Sequence, residues 1–165
     1  MLSLLLAKIN AAERDIDHII DLMLGMASPY QRALDIMASI PGIDVLSALL
    51  ILAEITATPH LFFSSAEKLC KWAGLSPRND ESAGKIKSRK IMPGNPYIKS
   101  ILCQSAWAAV KCRNNPFRDW FWSHQYKGDK KAIIAVSRQL LITVYALLKS
   151  DSFYNRELAL RNRRK

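Results

Sequence analysis

Residues 129–149 read DKKAIIAVSRQLLITVYALLK. Ile133, Val136, Leu140, Leu141, Val144 and Leu148 follow one another at spacings of mostly three or four. That spacing gathers six aliphatic side chains on one stripe of a helix, the pattern of an element that buries one face in a core. A half-buried strand would alternate apolar and polar residues with a period of two, and such alternation is almost absent from the whole chain.

Outward from this helix, the same period recurs. YIKSILCQSAWAAVKC, residues 97–112, places Ile98, Ile101, Leu102, Ser105, Ala109 and Cys112 near one stripe, and a further helix is expected after Asn115-Pro116, where FRDWFWSHQY concentrates aromatic residues. IDVLSALLILAEI, after Gly42, reads as a buried helix. SSAEKLCKWAGL opens on the capping-box spacing Ser64-x-x-Glu67 and closes on Gly74, a helix stop. Nearer the start, a helix is expected from about Tyr30 to Ser39. Before it, Leu2, Leu5, Ile9, Ala12, Ile16, Ile19, Met23 and Met26 alternate by three and four, which predicts a long amphipathic helix with a coiled-coil-like seam ending near Gly25 to Pro29. Leu75 to Pro96 keeps no sustained period and contains prolines and glycines, so a long exposed loop is expected there; loops of such length commonly carry function. The expected fold class is all-α.

The chain has 165 residues, half of them hydrophobic, enough for a single domain with its own core. Its net charge of +10 is unevenly spread. Residues 1–70 hold 4 Lys/Arg against 8 Asp/Glu, a net −4, whereas residues 71–165 hold 20 against 6, a net +14. A basic second part attached to an acidic first part points to a polyanionic partner, of which nucleic acid is the commonest. Cys70, Cys103 and Cys112 are odd in number and lack a C-x-x-C spacing, so a disulfide framework or a zinc site is not indicated and a reducing compartment is expected. The start MLSLLLAKIN has no basic n-region and only a short apolar run, unlike a signal peptide. No membrane-spanning segment is expected.

Individual motifs have more than one reading. SIPGIDVLSA resembles the turn of helix-hairpin-helix modules, which aim backbone N–H groups at a DNA phosphate, but Asp44 stands where a second glycine is usual. A plain structural turn with Asp44 as a helix cap is the favoured reading. Lys85, Lys87, Arg89, Lys90 and Lys99 form the densest positive stretch, with no acid from 85 to 99, and suit either a solvated loop or phosphate binding. Arg113, Arg118 and Lys127 extend the basic character around Trp120. Phe117, Trp107, Trp120, Phe121 and Trp122 suit a core more often than base stacking. His18, His60 and His124 share no metal-ligand spacing. Ser82 has no His or Asp at a recognised triad spacing, and the residues alone make it a loop serine.

The order of these blocks adds a further reading. IPGIDVLSALLILAEI, FSSAEKLCKWAGLSPRNDESAGK, GNPYIKSIL and KKAIIAVSRQLLITVYALLK together resemble the C-terminal transposase domain of the DEDD-type insertion-sequence transposases, the group of the Piv/MooV DNA invertases and the bridge-RNA-guided recombinases. The resemblance covers roughly residues 36–150. Ala73, Gly74, Leu75 and Pro77 match a family A-G-L-x-P, Ser82, Gly84 and Lys85 match S-G-G-K/R with Ala83 in place of the usual glycine, and Gly94, Asn95, Ile98 and Lys99 match G-N/D-x-x-L/I-R/K.

The resemblance implies that Ser82 is a nucleophile that attacks a DNA phosphodiester. It implies DNA contacts for Arg78, Lys85, Lys87, Arg89, Lys90, Asn95 and Lys99, with Arg78, Lys85 and Arg89 stabilising transition-state charge. It also implies three segments: a coiled-coil-like connector over 1–28, the helical transposase domain over 29–150 and a basic tail over 151–165. No metal ligand or cofactor is expected in this chain; the divalent metal, Mg²⁺ by expectation, belongs to an N-terminal RuvC-like domain whose acids the residues before Ile36 do not supply. The expected partners are DNA, a structured guide RNA in members that use one, and a second copy or a full-length or N-terminal transposase partner. The expected setting is the cytoplasm, on the nucleoid. A truncated product and one half of a split enzyme are both compatible with the pattern. The alternative is an inactive DNA-binding or dominant-negative regulatory fragment.

Overall fold

The computed structural model describes residues 1–77, 93–157 and 159 in full and residues 80–82 and 85–88 as backbone. The elements are α1 (Leu2–Met26), α2 (Gln31–Ala38, preceded by a 3₁₀ turn at Ser28–Tyr30), α3 (Val45–Ile55), α4 (Pro59–Phe62), α5 (Ala66–Trp72), β1 (Asp80–Ser82), β2 (Lys85–Ser88), α6 (Pro96–Lys111), α7 (Pro116–His124) and α8 (Asp129–Ser150). The chain divides into two units, residues 1–31 and residues 32–165.

In the first unit, α1 buries none of its side chains. Leu2, Leu5, Ile9, Ile16 and Ile19 of the expected seam are each more than half exposed. The periodicity therefore specified the helix without naming what covers its apolar face.

The second unit is organised around α8. All six aliphatic residues of its stripe are buried, with Val136, Leu140, Leu141 and Val144 wholly inaccessible. Full burial of each such side chain contributes about 1.5–3 kcal/mol. Against α8 pack α4, α5, α6 and α7, while α3 packs on α6. Three polar side chains of this core are paired: Ser137 Oγ donates to Ile133 O at 2.8 Å, Asn115 Nδ2 donates to Ala109 O at 3.0 Å, and Tyr145 Oη donates to Phe63 O at 2.8 Å, whereas the buried Ser105 Oγ has no partner among the described residues. The segment after α8 returns to α2, with Tyr154 N donating to Ser39 Oγ at 2.9 Å and Arg32 meeting Asp151 at 3.1 Å. The latter pair is exposed and contributes little. Cys70 lies in the core, where burial pushes its thiol up to about 11, whereas Cys112 is exposed.

The fold is all-α, with one addition to the expected loop. Within Leu75 to Pro96 the backbone forms a two-stranded antiparallel hairpin, β1–β2. Strands of three and four residues are too short to print a period of two, and two residues between Ser82 and Lys85, one of them Gly84, were the available hairpin signal. The short helix α4 (Pro59–Phe62) was not expected either, and the remaining differences at helix ends are of one or two residues. The N-cap of α5 is Ser65, which accepts from Lys68 N at 3.3 Å, so the box begins one residue later than Ser64. Adjacent serines offer the same side chain, and the extended backbone of Ser65 selects between them. In the helix stripes Phe117 and Phe121 are buried, but Trp107 and Trp122 are exposed, as is Cys112. The windows Val45–Phe62 and Asp129–Ser150 reach the length and apolarity of a membrane span, contrary to expectation. The first is interrupted at Thr56, with φ +62°, and α8 carries its apolar face into the helical core.

Gly42 forms a structural turn, with φ +89° and its Cα pressed onto α6. Asp44 caps α3, accepting from Ser47 N at 2.7 Å. Hydrogen bonds from Ser47, its side chain first and its backbone next, hold the Asp44 carboxyl below the usual carboxylate range. Because the folded pKa is depressed, the cap stabilises the fold above the ordinary carboxylate pKa of about 3.9 and its contribution is lost as pH falls through the folded value. Asp44→Ala is expected to lower stability at neutral pH by about 1 kcal/mol. In denaturant titrations, the gap between wild type and Asp44→Ala should close below pH ~3.9, and Asp44→Asn should keep the cap without that pH dependence. A gap that stays constant down to strong acid would show that the carboxylate is not the capping group.

Candidate functional site

The stretch that sequence singled out, from Gly74 to Lys99, is held at its two ends by α5 and α6. Helix α5 ends in a Schellman motif: Gly74, with φ +70°, donates to Lys71 O at 3.1 Å and Leu75 N donates to Cys70 O at 2.9 Å. The chain departs there and returns beside the same point. Asn95 N donates to Trp72 O at 3.2 Å, and a Cβ placed on Gly94 would lie 2.2 Å from Gly74 N and 2.4 Å from Gly74 Cα. Two glycines therefore form a neck in which backbone touches backbone, with no room for a side chain at position 94.

Asn95 fastens this neck. Its Oδ1 accepts from Tyr97 N at 2.9 Å and Ile98 N at 3.2 Å, capping α6, and its Nδ2 donates to Glu54 Oε2 of α3 at 2.6 Å. A hydrogen bond to a carboxylate is of the stronger, charge-assisted kind. Pro96 follows at the first position of α6, where its missing N–H costs nothing.

Between the ends of the neck stands the hairpin, in which Asp80 pairs with Ser88, Glu81 with Ile86 and Ser82 with Lys85, with an irregularity between Asp80 and Glu81. Ser82 thus occupies the last paired position of β1 with Lys85 opposite, and Lys87 lies further along β2. Lys99 sits in the first turn of α6, half-buried. Arg78, Arg89 and Lys90, together with Ala83 and Gly84, lie outside the described residues. The structure accordingly brings Ser82 and Lys85 together in register and shows the Asn95 side chain engaged inside the protein. Among the described residues, no three His, Cys, Asp or Glu side chains converge as a metal site would require.

Sequence reasoning missed the Glu54–Asn95 bond and a basic pocket beside the base of the hairpin, lined by Lys68, Lys71 and Arg138. No periodicity signals either, because each joins residues more than forty positions apart.

These features define a class: an all-α domain that projects a short hairpin with basic flanks from a neck of two touching glycines. The chain belongs to the Transposase IS116/IS110/IS902 family, whose family model matches residues 34–121, more than half of its length and the whole of the neck and hairpin. It is 26% identical over 155 residues to a pilin gene-inverting protein of Moraxella bovis, covering 87% of this chain and 45% of that protein. It is 27% identical over 124 residues to the putative transposase y4pF/y4sB of Sinorhizobium fredii (strain NBRC 101917 / NGR234), covering 72% of this chain and 32% of that protein. The chain thus spans less than half the length of these curated relatives.

Proposed function

We propose that this chain is the serine-bearing part of a DNA transposase or site-specific recombinase of the DEDD type, acting on DNA in the cytoplasm. The observation that carries the reading is the position of Ser82: at the end of a hairpin, opposite Lys85, on a neck that fixes where the hairpin leaves the domain. In this reading the Ser82 Oγ forms a bond to a DNA phosphorus while one P–O bond of the phosphodiester breaks. The Ser82 hydroxyl gives up its proton as the bond forms, the departing oxygen takes one up and leaves as a hydroxyl, and the strand is retained as a phosphoserine ester. Arg78, Lys85 and Arg89 offset charge developing on the phosphoryl oxygens, and Lys87, Lys90 and Lys99 neutralise neighbouring phosphates. Asn95 contributes by holding the neck, since both of its polar side-chain atoms are engaged within the fold. Divalent metal would come with the acids of a RuvC-like domain, and a guide RNA, where used, would meet the same basic segment.

The test is to combine the chain with a RuvC-like domain of its family and a DNA duplex, denature the mixture, and map any covalent adduct by peptide mass spectrometry. An adduct on the peptide that contains Ser82 supports the reading; an adduct on another peptide removes Ser82 from the role.

A second reading, a regulatory fragment that pairs with a longer transposase, is favoured by the uncovered seam of α1. Ile16 is 55% exposed and Ile19 54%, an apolar face such as coiled coils bury. Ile16→Asp is expected to abolish self-association, and co-purification with a full-length homologue, in light scattering and pull-down. Unchanged association would place the contact elsewhere.

A further inference from the structure

Three cationic side chains that the sequence scatters over two helices meet in one pocket. Lys68 and Lys71 of α5 and Arg138 of α8, with Glu67, Ser76 and Pro77, line a cavity of about 330 Å³. The Nε of Arg138 is shielded from solvent and has no hydrogen-bond partner among the described residues. An unmatched donor on a charged group is costly, and a shielded one calls for an acceptor such as an ordered water or an incoming anion. Glu67, the acid in the lining, is held below the usual carboxylate range first by its backbone N–H and the Ser65 hydroxyl and, to a smaller extent, by the nearby Arg138 charge. Among the described residues no ion pair engages Lys68 or Lys71, and the Ser76 hydroxyl lies in the same lining.

The location gives the anion its source. Pro77, at the edge of the pocket, is three residues ahead of Asp80, where the hairpin begins. A strand engaged by the hairpin would thus pass this edge. We infer that the pocket seats a backbone phosphate of the DNA strand that the hairpin engages, with Arg138 donating through its guanidinium and Lys68 and Lys71 closing around the other phosphoryl oxygens. This inference rests on the proposed role of the hairpin in DNA binding. It adds an anchoring site on the helical body, on residues outside the basic run of 85–99. Guanidinium and ammonium groups suit this ligand, the first as a planar fork and the second as compact charges.

The experiment is fluorescence anisotropy of a labelled DNA duplex with wild type, Lys71→Glu and Arg138→Lys across a range of salt concentrations, with circular dichroism confirming that each variant is folded. Lys71 is exposed, so its variant is expected to fold even if Arg138→Lys does not. Lys71→Glu should weaken duplex binding about tenfold and reduce the slope of log affinity against log salt by ~0.9, as expected when the protein neutralises one phosphate fewer. Arg138→Lys, which keeps the charge but loses the planar fork, should weaken it roughly threefold. If wild type binds DNA and folded Lys71→Glu binds equally with the same slope, the pocket is not a DNA anchor while the hairpin reading stands. If wild type binds no DNA at any salt, both readings fall. A thermal stabilisation by inorganic phosphate that Lys71→Glu loses, with DNA affinity intact, would assign the pocket to a free anion and overturn the DNA assignment.

Discussion

Gly42→Ala is expected to destabilise the fold by about 2–5 kcal/mol, combining ~1–2 for left-handed backbone at a residue with a Cβ and ~1–3 for forcing extra volume into a packed contact. The Cβ would lie 2.4 Å from Ser105 O, 2.5 Å from Ala109 N and 2.6 Å from Ala109 Cβ, so two of the three obstacles are backbone atoms of α6. Those atoms cannot swing aside as a side-chain tip would. Helix α6 packs against both α3 and α8, so shifting it would disturb both contacts. For a domain whose stability is of the usual 5–15 kcal/mol, such a loss is large. Urea titration of the variant measures it directly. Gly25→Ala is the control, since a Cβ there meets nothing within 4 Å and lies in a helix, where alanine is the better residue by roughly 0.5–1 kcal/mol. A Gly42→Ala protein within 1 kcal/mol of wild type, on the ~2–5 kcal/mol scale above, would mean that the turn is not pressed on α6 in solution.

Ser82→Ala is expected to abolish the covalent protein–DNA adduct while leaving DNA affinity within about twofold of wild type, because the change removes an attacking hydroxyl and no positive charge. The two quantities answer different questions. Adduct formation, read on a denaturing gel after the acid-bearing domain is supplied, reports chemistry at one oxygen. Affinity, read by anisotropy, reports the sum of phosphate contacts made by lysines and arginines. Loss of both together would make Ser82 part of the folding of the hairpin, since a misplaced hairpin would carry Lys85 and Lys87 away with it. Persistence of the adduct would end the assignment. Gly94→Ala offers an independent check, since its Cβ would meet Gly74 backbone at 2.2 Å and displace the neck. It should impair adduct formation without altering a single charge or the nucleophile.

The motifs Ala73-Gly74-Leu75 and Gly94-Asn95 were visible in the chain as resemblance, but their reason was not. Gly74 and Gly94 are twenty positions apart, and the contact between them exists only because α5 and α6 are both seated on α8. Asn95 read as a possible DNA contact because its type and position are compatible with one. Its partner, Glu54, lies 41 residues earlier, and no local pattern links an acid on one helix to the cap of another.

Helix positions and the buried stripe of α8 were determined by the sequence itself, because spacings of three and four, caps such as Asp44 and a stop such as Gly74 act through neighbours within one turn. The uneven charge was equally legible, since charge is a property of composition. Tertiary structure alone decided which of two adjacent serines caps α5, that Ser82 stands opposite Lys85, that two glycines form a neck, and that Lys68, Lys71 and Arg138 share a pocket. The physical reason is range. Hydrogen bonds within a helical turn are written in consecutive residues, whereas a site assembled from α3, α5, α6 and α8 exists only once the apolar faces of those helices have closed on one another.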